Sequence, residues 1–308
     1  MGLWWAWVGR DPQPGSIVPI WRPPDGVPPG AAGALIDQRA DPADVLATVL
    51  DLAARGYLGI LEVHPSGVPA EGGEGARIAR TLLENVGLWT TEWEFRRTDR
   101  PFDDLADFEK SVAYSLFGAE RSVTMSQVAG PFRERLPGIY GALYDELVAR
   151  DWFRRSPSAT RREWLFLGGA LAAIGAAAIA WAADPELGIG LALSGAVVAA
   201  FARVMPVLTP EGARARDRLL GIREYVRRAE REEVEARHGD ERAPGRFAEI
   251  LPYAISLGVI DLWLEEFAGV ASGPGWYVVR EVPEPTAFSV SLGQFCAAAI
   301  GALAAPRA

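Results

Sequence analysis

Two runs decide the architecture: residues 164–183, WLFLGGALAAIGAAAIAWAA, and residues 187–208, LGIGLALSGAVVAAFARVMPVL. The first has no charged residue; the second has one, Arg203, close to its end. At about 1.5 Å per residue, a run of this length spans about 30 Å, the thickness of a bilayer core. Between them stands only a short turn with Asp184, Pro185 and Glu186. Proline stops a helix, so the pair reads as an antiparallel helical hairpin. The apolar residues Leu165, Phe166, Leu167, Leu171, Ile174 and Ile179 give the first helix roughly −2 to −4 kcal/mol of insertion free energy. Arg203 is near enough to the end to snorkel to the headgroups.

Ala- and Gly-rich runs also occur as buried helices of soluble proteins. The flanks argue against that here. Arg154, Arg155, Arg161 and Arg162 precede the first run, and Arg203, Arg214, Arg216 and Arg218 follow the second, whereas the turn carries only acids. This is the positive-inside pattern, with both flanks cytoplasmic. Arg154, Arg155, Arg161, Arg162, Arg203, Arg214 and Arg218 are the candidate membrane-surface contacts, and the bilayer is the first expected partner. Gly168 with Ala172, and Gly190 with Ser194, are small residues four apart that permit close helix packing within the hairpin, or self-association.

Working outward, residues 3–8, LWWAWV, read as the tail of a longer membrane helix, ahead of a Pro- and Gly-rich linker over 11–30. A short helix is expected over 30–38. Asp41-Pro42 is a helix start, an acidic cap followed by proline at the first position. The stripe Val45, Leu46, Val49, Leu50, Leu52, Ala53 carries that helix to Arg55, and Gly56 caps it. Residues 57–63 and 90–98 read as paired strands, with a Gly-rich stretch over 71–75 and a helix over 76–86 between them. Further helices are expected over 103–117 and 131–150, with a short segment over 122–127.

The element Leu52-x-Ala54-Arg55-x-Tyr57-Leu58 is echoed by Leu147-x-Ala149-Arg150-x-Trp152-Phe153. A helix followed by a two-stranded hairpin resembles a winged-helix unit, so the echo predicts two such units in tandem. The expected class is mainly α with small β-hairpins. The expected divisions are a stub and linker over 1–30, winged-helix-like units over 31–100 and 101–158, the transmembrane hairpin over 159–208, and a cytoplasmic helical unit over 209–308. In that last unit Thr209-Pro210-Glu211 starts a long helix to about Arg237, and its alternating charges read as a solvated face. Residues 247–267 read as two short helices split at Gly258. Residues 286–305 lack charge; length alone allows a third span, but Ser289, Ser291 and Gln294 favour a packed cytoplasmic helix.

The chain's 308 residues carry a net charge of −9, with a single lysine, Lys110, and a single cysteine, Cys296. One cysteine excludes a disulfide framework and a cysteine-based zinc site. No Walker A loop is present. The acidic balance disfavours nucleic acid as a partner. A winged helix that reads DNA also needs a basic face, whereas the first unit's helix carries Asp41, Asp44 and Asp51 against Arg55. His64 and His238 sit beside Pro or Gly without a partnering motif. Asp103, Asp104 and Asp107 stand at a helix start, where the macrodipole favours acids. Cys296 reads as a buried thiol, and Trp263, Trp276 and Tyr277 as packing or interface residues. No catalytic, cofactor or metal residue is assigned, and an enzyme is not expected.

The stretches Val8-Gly9-Arg10-Asp11-Pro12, Pro23-Pro24-Asp25-Gly26, DVLATVLDLAARGYLGIL over 44–61, TPEGARARDRLLGIREY over 209–225, Leu251-Pro252-Tyr253-Ala254-Ile255 and Gly275-Trp276-Tyr277 resemble a family of predicted bacterial membrane proteins. It is catalogued as a domain of unknown function, DUF2207, the YciQ-like proteins. The resemblance implies an upstream signal sequence, an extracytoplasmic β-rich domain and a first membrane helix, and it lends no catalytic residues. The expectation is a non-enzymatic, multi-pass protein of the bacterial cytoplasmic membrane, with most of its chain in the cytoplasm. It would act as a scaffold or signal relay through contacts with other membrane or cytoplasmic proteins. The alternatives are a membrane-tethered DNA-binding regulator and a transporter accessory subunit or enzyme.

Overall fold

The computed structural model describes residues 12, 15–63, 91–181, 185–229, 244–266, 273–279 and 287–303. The expectations for residues 3–8, 71–75, 76–86 and 230–237, and for His64 and His238, fall outside them.

Helix α1 (Pro29–Asp37) precedes α2 (Pro42–Ala54), which starts as its sequence dictates. The Asp41 side chain accepts the N–H groups of Ala43 at 2.8 Å and Asp44 at 3.2 Å, and Asp44 accepts the Asp41 N–H at 3.1 Å. This reciprocal box satisfies donors the first turn would otherwise leave orphaned. The apolar stripe of α2 is buried throughout, as periodicity requires.

Strand β1 (Leu58–Val63) pairs antiparallel with β2 (Glu92–Arg97), from Leu58 opposite Arg97 to Val63 opposite Glu92. Helix α3 (Asp107–Phe117) comes next, then β3 (Ser122–Thr124) and α4 (Met125–Ala149). After the membrane-type helices come α7 (Pro210–Ala229), α8 (Pro244–Ser256), α9 (Ile260–Glu266), β4 (Tyr277–Val278) and α10 (Ala287–Leu303). Gly258 separates α8 from α9 with φ +67°.

The second expected unit does not keep its strand to itself. β3 pairs with β2, Phe95 opposite Val123, and the sheet order is β3-β2-β1-β4. β4, from the far end of the chain, pairs parallel to β1, Ile60 opposite Tyr277. One face of this sheet presents Leu58, Ile60, Trp93, Phe95, Val123 and Tyr277, all buried. α10 packs there: the Phe295 ring lies edge-on to Trp93, Phe95 and Tyr277 at 5.7, 6.1 and 5.9 Å. The uncharged stretch over 286–305 therefore supplies a core helix, with Phe288, Leu292, Phe295 and Cys296 buried. Residues from 31–100, 101–158 and 209–308 belong to one hydrophobic cluster. Helix α4 also starts earlier than expected, so Pro131 lies inside it.

Candidate functional site: the clamped base of the helical hairpin

Helices α5 (Pro157–Ala180) and α6 (Pro185–Phe201) form the hairpin, and a 3-10 turn (Ala202–Val204) ends it. Their most apolar windows have mean hydropathies of 1.7 and 1.9, yet only 11% and 22% of those windows are buried. Phe166 is 78% exposed and Leu193 65%. Core helices of a soluble protein hide such side chains; here they are exposed, as on helices that face lipid.

The helices meet along a seam of glycines seven apart, Gly168 and Gly175 on α5 and Gly188 and Gly195 on α6. A Cβ on any of these would come within 2.5 to 2.6 Å of the facing helix. Without a hydrophobic drive between helices, close backbone packing supplies the association. Gly168 and Ala172 lie on the seam as expected. Gly190 and Ser194 do not: both are exposed, and the Ser194 hydroxyl donates to the Gly190 carbonyl at 2.8 Å. Gly190 is two residues from Gly188, about 200° around the helix, so it faces away.

The hairpin is fastened at its base. Phe153 and Leu208 form an antiparallel bridge, and the Thr209 N–H donates to the Trp152 carbonyl at 3.0 Å. The Thr209 hydroxyl donates to the carbonyl of Asp151 and accepts the Gly212 N–H at 3.0 Å, capping α7. Asp151 has φ +55°, and the Trp152 and Asp151 N–H groups close back on Leu147 and Val148 at 3.0 and 2.9 Å. That is a left-handed helix cap.

The same clamp occurs earlier. Gly56 has φ +80°, and the Tyr57 and Gly56 N–H groups close on Leu52 and Ala53, each at 2.9 Å. The Thr98 N–H donates to the Tyr57 carbonyl at 3.0 Å, and its hydroxyl to the Gly56 carbonyl at 2.8 Å. Arg55 lies 5.4 Å from the Tyr57 ring centre, and Arg150 lies 5.4 Å from that of Trp152. Each arginine also pairs with an acid one turn earlier, Asp51 at 2.9 Å and Glu146 respectively. The echo between residues 52–58 and 147–153 is a structural duplication. The sequence marks Thr209 as a helix start and Thr98 as a strand end, but not as fasteners, because each lies more than 40 residues beyond the cap it holds.

The seven candidate arginines divide. Arg154, Arg162, Arg203 and Arg218 are exposed and, among the described residues, form no ion pair. Arg155 pairs with Glu163 at 2.8 Å, and Arg214 with Glu211 at 3.0 Å. Arg161 turns inward: it donates to the Gln38 carbonyl at 2.6 Å, tying the end of α1 to the first turn of the hairpin.

Elsewhere the polar chemistry reads as structural. Arg55 bridges Asp51 and Glu109, and burial pushes the Asp51 carboxyl up to about 6. Buried Asp44 is likewise held well above the usual carboxylate range. Trp93 donates to the Tyr277 hydroxyl at 3.2 Å, that hydroxyl meets Ser291 at 2.9 Å, and Ser291 donates to Glu62 at 2.7 Å. This chain ties three strands to α10. Asp104 accepts from Tyr57 at 2.7 Å and Arg100 at 3.2 Å, which lowers its pKa; Asp107 meets Lys110 instead, so Asp103, Asp104 and Asp107 do not converge on one site. Burial raises the Cys296 thiol to about 12, away from reactive thiolate chemistry. No cluster of three metal-ligating side chains occurs among the described residues.

No curated protein and no solved structure matches this chain. A family model does, over residues 18–267, described as predicted membrane protein (DUF2207), C-terminal domain. That match takes in both clamps, the hairpin and α7, and by it the chain belongs to the DUF2207 family of predicted membrane proteins.

Proposed function

We propose that this protein is a non-enzymatic relay and scaffold of the bacterial cytoplasmic membrane, with most of its chain on the cytoplasmic side. The observation that carries this reading is the Thr209 clamp. It joins the exit of the hairpin to the end of α4 and to the start of α7 through one side chain. A displacement of α6 in the bilayer would reach the core through bonded groups rather than a flexible linker. Arg161 gives the entry helix a similar tie to α1. The arginine-rich flanks and acidic turn support the orientation. The two clamps also favour reading the segments around them as a pair of winged-helix-like copies, in which the membrane hairpin stands where the second copy would carry its wing.

The DNA-binding alternative is disfavoured because α2, the helix that would read the groove, is almost wholly buried. A transport pathway is disfavoured because glycine and alanine fill the hairpin seam.

The test is amide exchange of the full chain in nanodiscs of short- and long-chain lipid. Altered protection at the start of α7 and at the α1–α2 junction is the expected result. Unchanged protection there, with changes confined to the hairpin, would sink the relay. Crosslinking in intact membranes that returns no reproducible partner would remove the scaffold role.

A further inference from the structure

Residues 15–22, GSIVPIWR, run as an extended strap along α7. The Gly15 N–H donates to Asp217 Oδ2 at 2.7 Å, and the Ile20 N–H to the Gly221 carbonyl at 3.2 Å. The strap leaves Ile17, Val18 and Trp21 open, at 44%, 62% and 37% exposure. The Arg22 guanidinium lies 4.3 Å over the Trp21 ring. On α7, Arg214 and Arg218 fall within about 100° of the line from Asp217 to Gly221, both on one side of it, so they lie beside the strap. Both are exposed.

We infer that this strap and the flanking face of α7 form a second membrane contact, lying on the headgroups of anionic lipid. Two observations name the occupant. The first is continuity: the bridge at Leu208 closes the hairpin, α7 begins at Pro210, and Asp217 lies only about 11 Å further along the helix. The second is charge. Residues 154–163 and 203–218 hold eight arginines against three acids, in a chain whose net charge is −9. An acidic protein that concentrates its cations beside its membrane helices presents the complement of an anionic surface. A tryptophan carrying a stacked arginine suits the interface, where its ring finds a half-apolar layer and its cation finds phosphate. The apolar side chains that water would disfavour are thereby covered. This contact needs the hairpin in the bilayer but does not depend on the relay.

The test places a spin label at Ile17→Cys or Val18→Cys in a Cys296→Ser background. The full chain is reconstituted in nanodiscs of neutral lipid or of neutral lipid mixed with phosphatidylglycerol. In discs containing phosphatidylglycerol, the label's collision rate with oxygen should rise several-fold relative to a water-soluble nickel chelate. A control label at Ser115→Cys should stay water-like. Adding Arg22→Gln, Arg214→Gln and Arg218→Gln, or raising salt, should return the strap label toward water. A label that stays water-like in anionic discs overturns the proposal. So does one shielded from both reagents, which would mean that a protein surface covers the strap. Failure of the chain to enter discs would instead overturn the membrane hairpin itself.

Discussion

The two clamps are nearly the same structure and lead to opposite places. Each ends a helix on a left-handed residue, buries the next aromatic under an arginine and is fastened by a threonine. After Tyr57 the chain reads LGILEV, an alternating strand that pairs along six residues of β2. After Trp152 it reads FRRSP: one residue pairs, then polar residues and Pro157 begin an apolar helix long enough to cross a membrane. A local cap thus positions a chain without choosing between strand and helix. The residues just beyond the cap make that choice.

The largest effect should come from prying open the helices that the second clamp holds. Gly195→Leu puts a side chain where a Cβ alone would stand 2.5 Å from the Ala172 nitrogen, so α5 and α6 must separate. A loss of about 1–3 kcal/mol is expected, seen as reduced recovery of monodisperse protein in detergent. Gly190→Leu, on the exposed side of the same helix, should be nearly silent, and equal damage from both would refute the seam.

Next in size, Thr209→Val and Thr98→Val test whether the clamps are equivalent. Each should cost about 1–2 kcal/mol in thermal unfolding. Thr209 also caps α7, so only its variant should speed amide exchange in the first turn of α7. A matching acceleration in Thr98→Val would erase the distinction drawn between the two.

Glycine exchange at the caps should give opposite signs. Gly56→Ala forces a side chain into φ +80° and should destabilise by about 1 kcal/mol, whereas Asp151→Gly at φ +55° relieves such a penalty and should stabilise by about 0.5–1 kcal/mol. Melting temperatures of the two variants decide the point; a shared sign would show that the caps differ.

The last test is of pH dependence. Asp51, behind Arg55 in the first clamp, is raised by burial from 3.8 to about 6. Its contribution to stability is fully present below its unfolded pKa and is lost as pH rises through its folded value. Asp51→Asn removes that loss, so the variant should gain on the wild type between about pH 4 and pH 7. Parallel melting curves at both pH values would contradict the assigned shift.

Much was legible in the chain. The acidic cap and proline of α2, its buried stripe, the hairpin and the repeated Leu-x-Ala-Arg-x-aromatic element all rest on residues within a few turns of one another. The polar residues of the 286–305 stretch correctly marked a packed helix, because Ser291 has a buried bonding role to fill. What the local pattern did not carry lies at long range. β3 and β4 join a sheet that neither segment's pattern specifies, and that sharing draws three expected units into one core. The Arg161 tie to Gln38 is likewise invisible in a sequence that places them 123 positions apart.

The sequence alone determined which segments are apolar enough for lipid and where α2 begins and ends, though not where α4 begins. These depend on hydrophobic run length, on caps, and on prolines and glycines that act over one or two turns. Only the tertiary structure decided which glycines form the seam of the hairpin, because α6 is apolar on every side and its periodicity favours no face. It alone revealed the partners of the two clamps as well. A threonine distant in sequence becomes the fastener only once folding has brought it beside a left-handed carbonyl.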